Sequence, residues 1–448
     1  MKRSRSAIAS APVAVAIALT AMTVVGVPAT AAPGDSNSVG MERIPTAECI
    51  NRSIPLGPEE ARLGRPEPAD LIEGGGFTDL VQSFVSELCA TADYSSAVAL
   101  ATTDAKKLWR HAVDRAQGRQ ASGSLSASDD RPVYWARLAE VAAVQQWQPS
   151  FGLSPQQRAD IVGAIDRTGR GQDAIAYSTP RSTTRHVLIT GFDPYKLDSE
   201  IRNGNPSGAT ALALNGKTIQ TAQGPVEFAT AMFPVRWRDF GNGVVEQTLR
   251  PFLTGGADQV DMFATLSVGS PGEFDLEQTN GAWRGGKADN ESVCYLGSVP
   301  NTAAAGAAPQ WTRSTLPLPE MAAVPGQFPV KVRTSVDTAL LPFFPALPVI
   351  TDCRVPAIPG VPMPDGPPPD STAWAGGGGS YLSNESAYRA TLLRDVAGTG
   401  LPGGHIHTPV LEGLPEAGLT GPEFEGNRDA IITQLTGLLL TAADSTRT

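Results

Sequence analysis

Histidine and cysteine are both scarce, with four of each in 448 residues. If the chain uses an imidazole base, the candidates are only His111, His186, His405 and His407. The cysteines, Cys49, Cys89, Cys294 and Cys353, form an even set. Pairing by proximity joins Cys49 to Cys89 and Cys294 to Cys353, with two other connectivities open. If all four are paired, no free thiol is left as a nucleophile, and none of them stands next to a plausible base. A basic stripe is also missing. With 35 Lys and Arg against 45 Asp and Glu, the net charge of -10 argues against nucleic acid as a partner, because a polyanion is bound by a face that displaces its counterions. Beyond residue 31 no run is apolar enough to cross a bilayer, and no internal repeat is visible.

The N-terminus reads as a leader. Lys2, Arg3 and Arg5 precede an apolar run from Ala7 to Val27, and Ala29-Thr30-Ala31 supplies small residues for cleavage. The expectation is a signal peptide over 1–31, a secreted, extracellular protein beginning at Ala32, and no stable membrane insertion once the leader is removed. An uncleaved membrane anchor is the alternative. An even cysteine count in an exported chain fits disulfides.

Residues 32–72, rich in Pro and Gly, read as an extended lead-in. Helical spacing follows over 73–180: Phe77, Leu80, Phe84 and Leu88, then Trp135, Leu138 and Val141, and a cap followed by proline at Ser154-Pro155. The Gly- and Ser/Thr-rich string from Thr168 to Arg185 marks a boundary. Beyond it, over 181–448, short apolar runs at Val187–Thr190, Phe228–Val235 and Val260–Val268 alternate with a helix-like segment from Asp239 to Leu253. That rhythm predicts an α/β fold with binding loops at the carboxyl edge of the sheet. Proline-rich stretches at about 298–329 and 341–369 read as surface insertions without regular structure, around short strands at Val330–Val336 and Val349–Asp352. Ile431, Ile432, Leu435, Leu438 and Leu439 form the stripe of a final helix packed on the sheet.

Two stretches could carry chemistry. Gly376 to Gly379 lead through Ser380 and Tyr381 to Ser383 at the start of a helix, which offers a nucleophile, an oxyanion pocket and a backbone that substrate can approach closely. The bland reading of Ser383 is an N-cap. In Gly404-His405-Ile406-His407-Thr408-Pro409 two histidines share one face of a strand. No third ligand stands nearby in sequence, so no metal or other cofactor is implied. Glu277, just past the loop after the Val260 strand, is a candidate acid partner.

These segments resemble the pyroglutamyl peptidase I family. Val187 to Tyr195 followed by Asn205-Pro206-Ser207 is similar to its V-L-V-T-G-F-E-P-F and N-P-S. Gly379 to Asn384 is similar to G-T-Y-x-C-N, Gly404 to Pro409 to G-F-I-H-V-P, and Asp289-Asn290 to P-D-N. The resemblance spans about 186–412 and excludes the helical region. It implies a three-layer α/β sandwich around a mixed, mainly parallel sheet, preceded here by the mostly helical N-terminal region. It implies an amide hydrolase that removes an N-terminal pyroglutamyl residue from a peptide or small amide. His407 would be the base, Glu277 its orienting partner, and Phe192 and Tyr195 the aromatic walls for the lactam ring. His405 replaces a hydrophobic residue and has no implied role. The family's nucleophilic cysteine is Ser383 here, Gln278 stands in place of an arginine, and Gly269-Ser270-Pro271-Gly272 lacks the glutamine of G-Q-A-G-G.

A serine hydroxyl does not ionise in the ground state, so its base must take the proton during attack. Outside the cell serine also escapes oxidation and disulfide exchange. The competing reading is an inactive relative that binds peptide ends or envelope material. A third is a helical region that covers the cleft as an inhibitory or partner-binding module. The acyl-transfer reading expects Ser383 and Glu277 both within reach of the His407 ring.

Overall fold

In the computed structural model the described residues are 39–121, 123–300, 308–340, 348–355 and 358–446. The leader expected over 1–31 and parts of the two proline-rich insertions lie outside them. The N-terminal region is built from α1 (Val39–Arg43), α2 (Pro58–Ala61), α3 (Pro66–Gly74), α4 (Thr78–Ala90), α5 (Tyr94–Ala116), α6 (Arg131–Gln146) and α7 (Pro155–Thr168). The extended lead-in is thus corrected, because its prolines open helices: Pro58 and Pro66 occupy first-turn positions, where the missing N–H is no loss. Ser154 caps α7 with a reciprocal bond to Gln157, the capping-box arrangement.

The α/β part follows as β1 (Arg185–Phe192), α8 (Pro206–Leu214), β2 (Thr218–Thr221), β3 (Gly224–Phe233), α9 (Trp237–Gly241), α10 (Val244–Leu253), β4 (Met262–Val268) and β5 (Phe274–Glu277). The segment from Asp239 to Leu253 is therefore two helices, broken at Gly243, which is left-handed at φ 80. Then come β6 (Thr279–Gly281), β7 (Trp283–Gly285), β8 (Leu296–Ser298), β9 (Trp311–Arg313), α11 (Leu318–Ala322), β10 (Val330–Arg333), β11 (Val336–Thr338), β12 (Val361–Met363) and β13 (Ala373–Ala375). The chain closes with α12 (Leu382–Ala397), β14 (Gly403–Thr408) and α13 (Pro422–Ser445). The insertions are thus not structureless, since β9, α11 and β12 lie in them. At the expected Val349–Asp352 strand there is only a single bridge, Ile350 to Leu296.

The main sheet has the order β10-β5-β14-β4-β1-β3-β2. β14, β4, β1 and β3 run parallel, while β5 pairs antiparallel with β14 and β2 with β3. One face carries Val187, Ile189, Leu266 and Ile406 against Ile431, Leu435 and Leu438 of α13. The other carries Leu188, Phe233 and Phe263 against Leu249 of α10 and Leu393 of α12. This is the three-layer α/β sandwich around a mixed, mainly parallel sheet. The helical region shares a core with it, as Trp109, Ala112 and Trp135 pack with Ala211, Leu212 and Met232. Disulfides join Cys49 to Cys89 and Cys294 to Cys353.

Candidate active site

Strand register fixes which side chains meet. His405 lies opposite Thr265 on β4 and Glu277 on β5, and His407 opposite Ser267 and Asp275. Residues paired across strands share a face, so both histidines, both hydroxyls and both carboxylates project to the α12 side. Two adjacent rings then take different roles. His405 is wholly buried, with Nδ1 2.7 Å from the Thr265 hydroxyl and Nε2 2.9 Å from that of Ser267. Burial, with His407 beside it, pushes its pKa well below that of a free imidazole, so it is neutral and its ring nitrogens are spent.

His407 Nδ1 is 2.7 Å from Oε1 of Glu277, a residue 1% exposed. A carboxylate can only accept, so Nδ1 carries the proton and Nε2 is left as the acceptor. Ser383 lines the same cleft, of about 590 Å³, with His407, Glu277 and Tyr381. It is not a cap: Tyr381 is the N-cap of α12, without a side-chain cap bond, and Ser383 is in the first turn. The first N–H of α12 to reach a main-chain carbonyl is that of Glu385, bonded to Tyr381 at 3.1 Å. Those of Leu382, Ser383 and Asn384 are therefore the donors a helix start leaves free, at the positive end of its dipole. No hydrogen bond joins the Ser383 hydroxyl to His407, whose ring contact through Nδ1 is with Glu277.

Two of the glycines before α12, Gly377 and Gly378, line the cleft and also make room for the dyad. A Cβ on Gly378 would stand 2.6 Å from His407 Cε1, and one on Gly377 2.2 Å from Glu277 Oε2. Only bare backbone lets this loop lie on both side chains. Asn384 locks the helix start, bonding the backbone of Gly281 through Oδ1 at 2.9 Å and Nδ2 at 2.7 Å.

Phe192 and Tyr195 line a smaller pocket of about 50 Å³ with Leu382 and Ser383. Phe192 is packed on Phe240 and Phe233, and Tyr195 is also on the cleft wall. The helical region contributes to the rim, which no motif signalled: Arg62 lines the cleft, donating to Asp198 at 2.9 Å and to the carbonyl of Asn290. Asn290 in turn donates to the Pro194 carbonyl at 2.9 Å, so the aromatic loop is held from both regions. Of the other histidines, His111 packs on Phe77 and His186 stacks on Tyr177, away from the cleft-lining residues.

Two family models match the chain, described as the PA0049 N-terminal domain over residues 41–166 and the PA0049 C-terminal domain over 186–307 and 347–412. Uncharacterized protein PA0049 of Pseudomonas aeruginosa is 33% identical over 529 aligned positions, covering 92% of this chain and 93% of that protein. Among solved structures, a mutant pyrrolidone carboxyl peptidase of Pyrococcus furiosus is 18% identical with a TM-score of 0.36, covering 58% of this chain and 99% of that one. Pyroglutamyl peptidase I of Bacillus amyloliquefaciens is 18% identical with a TM-score of 0.37, covering 59% and 96%.

Proposed function

This chain belongs to the PA0049 family, and we propose that it is an exported amide hydrolase that removes an N-terminal pyroglutamyl group by acyl transfer through Ser383. The observation that carries the reading is the buried His407–Glu277 pair at 2.7 Å, in one cleft with a first-turn serine that caps nothing. The motif resemblance supplies the substrate class, and the disulfides are compatible with export.

In this scheme Ser383 Oγ attacks the acyl carbonyl while His407 Nε2 takes its proton. Glu277 holds the ring in the Nδ1–H tautomer and stabilises the imidazolium. The carbonyl oxygen gathers charge against the free N–H groups that open α12, each such donor contributing about 3 kcal/mol. His407 returns the proton to the leaving amine, then activates water to release the acyl group. Phe192 and Tyr195 would flank the lactam ring.

The missing Ser383–His407 hydrogen bond favours a second reading, an inactive relative that binds peptide ends or envelope material. Contacts of this kind are often long in empty sites and tighten with substrate. Hydrolysis of a fluorogenic pyroglutamyl amide by the purified mature protein, beside Ser383→Ala and Ser383→Cys, separates the two. Activity in the parent that Ser383→Ala abolishes supports the proposal. Activity only in Ser383→Cys makes the natural protein a binder.

A further inference from the structure

A second concavity, of about 570 Å³, lies between α7 and the α9–α10 turn and shares no lining residue with the cleft. Arg158, Arg167, Arg170 and Arg238 line it, against two carboxylates, Asp166 and Asp239. In a chain with a net charge of -10 this is a local reversal of sign. The carboxylates are already engaged by arginines of the fold. Asp166 takes Arg170 at 2.7 Å on one oxygen and Arg236 at 2.8 Å on the other, and Asp239 takes Arg236 at 2.7 Å. Arg238 is turned to Glu291 at 2.7 Å.

Arg158 and Arg167 are not engaged in this way. The half-buried Arg158 guanidinium donates to the Val144 carbonyl and has no carboxylate partner among the described residues. Burial lowers its pKa, the sign of a desolvated cation without a counter-ion. Arg167, an exposed side chain, has only a loose ion pair, at 4.0 Å with Asp173. Its side chain lies along α7 over Gly163, where a Cβ would stand 3.2 Å from Nη1. A glycine inside a helix costs about 1 kcal/mol relative to alanine, and here it leaves room for this arginine in the concavity.

We infer that this concavity is a binding site for a small oxyanion-bearing ligand, a phosphate or a carboxylate, held by Arg158 and Arg167. Planar guanidinium forks match both groups, and an anion would supply the counter-charge that Arg158 lacks among the described residues. The inference is independent of the hydrolase proposal.

Thermal unfolding of the mature protein tests it, with inorganic phosphate in one arm, citrate in another and sodium chloride at matched ionic strength as the reference. At least one arm should give a saturable rise in Tm beyond chloride, and the arm that binds more tightly names the ligand class. The double variant Arg158→Gln, Arg167→Gln should keep its basal Tm and lose about tenfold or more in apparent affinity. Lys196→Gln with Lys287→Gln, at the cleft, should leave the response intact. No saturable rise in either arm, an unchanged response in the arginine variant, or its loss in the lysine variant would overturn the assignment.

Discussion

Two of the places where this molecule buries charge treat it in two ways. Where the helical region meets the sheet, Arg137 and Arg170 both bond Asp193 Oδ2 at 2.8 Å, and Asp166 bridges Arg170 and Arg236. Burial alone would push the Asp166 carboxyl up, yet the three arginines hold it far below the usual range. In the cleft, by contrast, the His407–Glu277 pair closes one ring nitrogen and leaves the other to what enters. A charge cluster that neutralises itself is a fastener. A pair with one valence open toward a cavity is equipped to handle a proton.

The sharpest break in that comparison is to remove a partner from each place. His407→Ala should lower hydrolysis about 10⁴-fold while the protein stays folded, with Tm lowered only by the loss of the donor to Glu277. Arg137→Met should do the reverse, since one charged partner of Asp193 is lost in a dry site. A loss of about 3 kcal/mol in denaturant unfolding is expected, with activity per folded molecule within about tenfold. If His407→Ala unfolds the protein and Arg137→Met silences it, the two roles have been assigned backwards.

A third measurement uses pH. Asp130 is buried at the start of α6, with Oδ2 accepting from the Asn205 N–H at 2.9 Å. Burial, then the neighbouring Asp129, pushes its carboxyl up to about 7. The folded state therefore holds this proton more tightly than the unfolded chain does. The stability it contributes is complete below the ordinary carboxyl range and is lost as pH rises through about 7. Between pH 4 and pH 8 the loss should be on the order of 4 kcal/mol, and Asp130→Asn should remove that slope. A parent profile without the slope would show that Asp130 is ionised in the fold.

The smallest effect is expected from Gly378→Ala, whose methyl would stand 2.6 Å from His407 Cε1. A displaced ring should lower kcat about 10- to 100-fold, with Tm shifted by only a few degrees. Unchanged kinetics would mean that the loop yields without moving the base.

How much of this was legible depended on distance along the chain. The α/β alternation was readable because its strands are short apolar runs and α13 carries a clean stripe, both local signals, while the sandwich was what the resemblance implied. The helices of 39–74 were not, because proline reads as a breaker until its place in the first turn is known. In the site, His407 and Ser383 stand within matching motifs, Phe192 and Tyr195 in the opening one, and Glu277 was a candidate acid in a loop after a strand. The fate of His405 depends on Thr265 and Ser267, which are far off in sequence. The same is true of the glycines, whose missing side chains are filled by His407 and Glu277, and of Arg62, which reaches the cleft from outside the resemblance. Spacing along the chain carries no record of such long-range contacts.

The most direct test of the central claim is to look for the acyl group itself. Acid-quenched intact mass spectrometry of the mature protein mixed with a pyroglutamyl aryl ester should show one added acyl group, mapped by digestion to Ser383 and absent from Ser383→Ala. Turnover with no adduct at Ser383, or an adduct that persists in Ser383→Ala, would contradict the account.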